Sequence, residues 1–98
     1  MKDVFISYAR EDSNTAGKLS DALELEGLSV WWDREIPPGK TFDEVITEQL
    51  AQSKCVIVLW SNASVSSNWV LDEVSEARSQ NKLVPVLIDD VQIPMGFR

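Results

Sequence analysis

The sequence predicts an α/β protein built on an open, parallel sheet with helices on both faces. Three observations carry this. Strand-like apolar runs alternate with helix-like amphipathic stretches along the 98 residues. The runs Val4-Phe5-Ile6, Val56-Ile57-Val58-Leu59-Trp60 and Leu83-Val84 with Val86-Leu87-Ile88 are near-continuously apolar, as strands covered on both faces require. Helix-start or turn chemistry separates each run from the next.

The first strand is expected over 3–8, because Val4, Phe5 and Ile6 are strand formers and polar residues follow at once. Its carboxyl end delivers Ser7, Tyr8 and Arg10 to a loop, and in open α/β sheets ligands bind outside the carboxyl ends of the strands. A helix is expected over 13–26, with Ala16, Leu19, Ala22 and Leu23 on its apolar stripe, Asp12 or Ser13 as cap and Gly27 as stop. Strand two follows over 28–32, and Trp31 and Trp32 face opposite sides of it. Residues 33–40 are a loop, since Pro37-Pro38-Gly39 continues neither element.

Thr41-Phe42-Asp43-Glu44 has the pattern of a capping box, opening a helix with Phe42, Val45, Ile46 and Leu50 at helical spacing. Strand three is expected over 54–60, ending on Trp60 near the expected ligand crevice, with a polar loop over 61–66, a helix over 67–80 and strand four over 83–88. Pro85 inside strand four assigns it to a sheet edge. Residues 89–98 read as loop.

Composition narrows the function classes. The net charge of −7 argues against general affinity for nucleic acid or anionic membranes. The chain has no histidine, which removes Ser-His-Asp and Cys-His triads and histidine-based zinc sites. The one cysteine, Cys55, allows no intrachain disulfide and reads as a small buried core residue. With no leader or membrane span in sight, a cytoplasmic location is expected. No glycine-rich phosphate loop is present, which disfavours P-loop and dinucleotide-fold enzymes.

Two segments carry candidate chemistry. In the last helix Val70, Val74 and Ala77 share a stripe, Asp72 and Glu76 point to water, and Glu73 falls on the border with Trp69 one turn earlier. A border carboxylate beside an indole suits electrostatic or acid–base work. The plainer reading, which spacing alone favours, is a boundary glutamate that reaches out to solvent. The loop Asp33-Arg34-Glu35-Ile36-Pro37-Pro38-Gly39-Lys40 offers cations and stiff prolines, as a lid, a docking loop or a plain connector.

Together these motifs resemble the Toll/interleukin-1 receptor (TIR) domains. Asp3-Val4-Phe5-Ile6-Ser7-Tyr8 is similar to the family's first motif. Leu28-Ser29-Val30-Trp31-Trp32-Asp33 with Ile36-Pro37-Pro38-Gly39 resembles its second strand and BB loop. Val56-Ile57-Val58-Leu59-Trp60-Ser61, Ser67-Asn68-Trp69-Val70-Leu71-Asp72-Glu73 and Leu83-Val84-Pro85-Val86-Leu87-Ile88 resemble the third strand, the αC motif and the fourth strand. The style is that of bacterial TIR domains and of the animal axon-degeneration NADase, although Ala9 stands where the latter has a second basic residue. A two-component receiver is not supported, because Ser7-Tyr8 and Trp60-Ser61 occupy its acidic positions.

The resemblance implies a flavodoxin-like sheet in the order 2-1-3-4, over one domain spanning residues 1–98. The family's fifth strand and last helix would be absent, so the chain would be part of a larger protein. It further implies an NAD⁺ nucleosidase acting as effector in prokaryotic immune signalling and antiviral defence. Such an enzyme gives nicotinamide and ADP-ribose or a cyclic isomer. The family's catalytic glutamate falls on Glu73. Tyr8, Arg10, Arg34, Lys40, Phe42 and Trp69 are the candidate NAD⁺ contacts. NAD⁺ would be substrate, with no further cofactor or metal, and copies would self-associate through the BB loop, 34–40. The alternative is a non-catalytic TIR–TIR interaction module. Neither reading involves nucleic acid or a membrane.

Overall fold

The computed structural model describes residues 2–32 and 38–97. Four strands, β1 (Val4–Ser7), β2 (Val30–Trp31), β3 (Cys55–Trp60) and β4 (Leu83–Leu87), form one parallel sheet in the order β2-β1-β3-β4. This is the order expected, with β1 inside and Pro85 on the edge strand, where its missing N–H need not be paired. Among the described residues, three helices connect the strands: α1 (Ser13–Leu25), α2 (Phe42–Gln52) and α3 (Asn68–Ser79). Short 3₁₀ turns, Arg10–Asp12 and Ser64–Ser66, precede α1 and α3.

The strand alternation sorts the core into two faces. Val4 and Ile6 of β1 and Leu59 of β3 pack with Val30 and Ala16 under α1. Phe5 and Val56 pack with Ile46, Leu50 and Ala77 under α2 and α3, and Val58 and Trp60 pack with Val70 and Val74. Each such buried aliphatic or aromatic side chain contributes about 1.5–3 kcal/mol. Trp31 stacks on Phe5 at 5.0 Å and Trp32, just after β2, tilts over Tyr8 at 6.2 Å, so both tryptophans pack, on opposite faces.

The helix ends follow the sequence chemistry in two places. At α2 the Glu44 N–H donates to Thr41 Oγ1 at 3.2 Å and the Thr41 N–H to Glu44 Oε2 at 3.0 Å, closing the capping box. At the end of α1 the Gly27 N–H reaches Glu24 O at 2.9 Å and the Leu28 N–H reaches Leu23 O at 3.1 Å. Gly27 sits at φ +89°, where a side chain would be strained.

Four expectations are corrected. Neither Asp12 nor Ser13 caps α1 through its side chain. The Asp12 carboxylate instead accepts from the Ser61 hydroxyl, tying the loop after β1 to the end of β3. Ala22 is exposed and Ser20 is buried, because the helix turns a slightly different face inward. Cys55 is half-buried instead of fully buried, since it begins β3 beside the exposed Lys54. Burial first, and the Asp3 charge second, push its thiol pKa up. Trp60, read from sequence as near the crevice, is fully buried in the core under α3.

Candidate functional site

The carboxyl ends of β1 and β3 open into a cleft of about 1000 Å³. Its walls come from Tyr8, Ala9 and Arg10 after β1, from Ala63, Ser66 and Ser67 after β3, and from Phe42 and Trp69 at the starts of α2 and α3. The size suits a ligand with several rings. Ser67 begins α3, and its hydroxyl accepts from the Val70 N–H at 3.3 Å, which fixes where Trp69 emerges. Phe42 and Trp69 face each other with ring centres 4.8 Å apart at 47°, and each is 38% exposed. Two large aromatics left partly bare at a cleft mouth form a surface on which planar groups stack.

Tyr8 is buried in its ring, and its hydroxyl donates to Trp32 O at 2.8 Å. That bond anchors the loop after β1 to the end of β2. Arg10 is exposed at the start of its 3₁₀ turn and supplies the cleft's positive charge beside Glu11. Among the sequence candidates, the cleft therefore gathers Tyr8, Arg10, Phe42 and Trp69. Lys40 is elsewhere: its ammonium pairs with Glu48 at 3.0 Å on the surface of α2. Arg34, and with it most of the loop 34–40, lies outside the described residues.

Glu73 stands one turn after Trp69 on α3 and is 3% exposed. This removes the sequence alternative of a glutamate extended into solvent. Its Oε1 accepts a hydrogen bond of 2.8 Å from the hydroxyl of Ser7, which is itself fully buried. The carboxylate belongs to a smaller groove of about 360 Å³ between α2 and α3, whose other walls include Ile46, Leu50, Asp72 and Glu76. Trp69 lines both the groove and the main cleft, so one indole separates Glu73 from the larger space. Asp72 and Glu76 are exposed, as their helical positions require.

Of the cleft-wall serines, Ser66 carries no signal in the sequence beyond a polar loop and Ser67 none beyond the start of a helix. The bond from Ser7 to Glu73 spans 66 residues, and no local pattern reports it. Among the described residues no cluster of His, Cys, Asp and Glu is arranged to hold a metal ion, and no helix is long and apolar enough to cross a membrane.

Comparison with known proteins agrees with this architecture. The family model described as TIR domain matches residues 4–98. The chain is 32% identical over 97 residues to a "Stimulator of interferon genes protein" of Magallana gigas, covering 91% of this chain and 23% of that protein. It is 28% identical over 93 residues to a "Probable 2' cyclic ADP-D-ribose synthase TcpO" of Methanobrevibacter olleyae, covering 89% and 27% respectively. Among solved structures, the TIR domain of the Toll-related receptor TRR-2 of Hydra magnipapillata superposes with a TM-score of 0.87 at 27% identity, over 97% of this chain and 77% of that one. The chain thus spans about a quarter of the length of the two curated relatives.

Proposed function

The chain belongs to the TIR domain family, and from that premise we propose that it is an NAD⁺ nucleosidase. The observation that carries the reading is the buried carboxylate of Glu73, one turn after the Trp69 whose indole lines both the aromatic-walled cleft and the groove that holds Glu73. The similarity to a probable cyclic ADP-ribose synthase supports it, since that name implies chemistry at the ribose carbon of a dinucleotide.

The mechanism needs little from the protein. The C1′–N bond of NAD⁺ breaks with its electron pair going to nicotinamide, which leaves as a neutral base because it was a pyridinium cation. The ribosyl carbon becomes oxocarbenium-like. A carboxylate held out of water stabilises that charge strongly, since the local dielectric is low. Water then bonds to C1′ and releases a proton, giving ADP-ribose, or an oxygen of the same molecule closes a ring. No histidine, metal or further cofactor enters. Phe42 and Trp69 would stack on the planar rings, Arg10 would meet the pyrophosphate, and Tyr8 would form the floor under the ribose. Arg34 and Lys40 join the binding set only if the loop 34–40 folds over the cleft or reaches a neighbouring copy. In this reading copies of the domain associate through that loop, and the whole protein is an effector of prokaryotic immune signalling.

One observation favours a second reading. Glu73 lines the smaller groove, with Trp69 between it and the main cleft. In a non-catalytic interaction module that arrangement would be permanent. In an enzyme the indole must shift when substrate enters. Incubation of the assembled full-length protein with NAD⁺, and chromatography of the products, decides between them. Release of nicotinamide that disappears in Glu73→Gln supports the nucleosidase. Assembled wild-type protein that leaves NAD⁺ intact supports the module.

A further inference from the structure

We infer that Ser7 is a positioning residue for the Glu73 carboxylate, holding one of its oxygens so that the group presents a fixed plane to the ribosyl carbon. The inference rests on the NAD⁺-cleavage reading and assigns a residue to it.

Ser7 is the only polar residue of β1, following Val4, Phe5 and Ile6, and all four are buried. A serine here contributes neither strand propensity nor apolar area. Burying its hydroxyl costs free energy unless a partner accepts its proton. That acceptor is Glu73 Oε1 at 2.8 Å. Alternation along β1 turns Ser7 to the same face as Phe5, the face covered by α2 and α3, and its register partner on β3 is the fully buried Val58. The donor is therefore mounted on an interior strand that cannot drift.

Glu73 hangs on α3 by a chain of rotatable bonds whose last torsion is broad. A charge-assisted bond from a rigid strand restrains that torsion. The same strand runs on into Tyr8 and Arg10, which wall the cleft. One element thus sets both the cleft wall and the carboxylate behind it, so their separation is held by backbone instead of by side-chain packing. Effects of this kind depend on placement to well under an ångström.

The test uses the full-length assembled protein. Ser7→Ala is expected to lower kcat roughly tenfold to a hundredfold, the range for losing one hydrogen bond to a charged group, while KM moves less than about twofold. Rates are normalised to the folded fraction from thermal melts. Ser7→Thr keeps the hydroxyl and is expected to recover most of kcat. In protein carrying ¹³C-labelled glutamate, the carboxyl resonance that vanishes in Glu73→Gln is expected to shift in Ser7→Ala while the others hold still.

A purely structural serine would lower the melting temperature and leave kcat of the folded fraction unmoved, and this result overturns the inference alone. Wild-type protein that assembles and spares NAD⁺ overturns the nucleosidase reading, and the inference with it.

Discussion

At the scale of single residues, burial decides what each carboxylate can do. Glu73, Asp72 and Glu76 share one helix, yet only Glu73 is shielded from water. Glu73→Gln keeps size and hydrogen bonding and removes the charge. It should cost roughly 3–4 kcal/mol of transition-state stabilisation, a hundred- to thousandfold in the rate of NAD⁺ loss. Glu76→Gln, on the solvent side, should leave the rate within about twofold. Asp3 illustrates a carboxylate that serves the fold. The Ser29 N–H first, then the Lys54 ammonium and the Ser29 hydroxyl, hold its carboxyl below the ordinary value of 3.8. A carboxyl lowered on folding stabilises the protein above its unfolded pKa, and that stabilisation is lost as pH falls through the folded pKa. Asp3→Asn should therefore lower the melting temperature at pH 7, and the gap to wild type should close as the pH is taken below 3.8. A gap that stays constant across a pH series of melts would refute the assignment.

At the scale of elements, each helix near the cleft is fixed by a different device. The capping box sets the first turn of α2, from which Phe42 projects. Thr41→Ala removes one half of the box at an exposed position, so its cost is a capping cost of about 1 kcal/mol, or roughly 4–8 °C in melting temperature. The Phe42–Trp69 contact should loosen with it, which tryptophan fluorescence reports. The far end of α2 is held from another element: the Lys82 ammonium donates to the carbonyls of Leu50 and, at 2.9 Å, Ser53. For α1 a close approach comes from Trp32, just after β2. A Cβ at Gly17 would lie 3.1 Å from the Trp32 ring, so glycine is the residue that lets this helix lie down on the sheet.

At the scale of the whole molecule, charge opposes association. Two copies each carrying −7 repel, so any self-association must set the few cations against acidic surface. The loop 34–40 concentrates Arg34 and Lys40 with two stiff prolines, while the groove between α2 and α3 presents Asp43, Asp72 and Glu76. The double change Arg34→Glu, Lys40→Glu should lower the mass seen by light scattering to that of the single protein and lower NAD⁺ turnover in parallel. An unchanged scattering profile would remove the loop from the contact.

The sequence by itself determined whatever depends on near neighbours. Apolar runs named the strands, Thr41 with Glu44 named the start of α2, Gly27 named the end of α1, and Pro85 named the edge. The four-residue step from Trp69 to Glu73 put the candidate pair on one side of α3, because helical spacing is a local property. Only the tertiary structure decided how deep each residue lies and whom it meets. It buried Glu73 behind the indole, turned Ser20 inward in place of Ala22, and drew the Asp12 side chain from helix capping to Ser61. It also set Phe42 against Trp69 and carried the Ser7 hydroxyl to Glu73. These pairings join residues far apart in the chain, and they are fixed by how the sheet faces and helices pack, which no spacing along the sequence encodes.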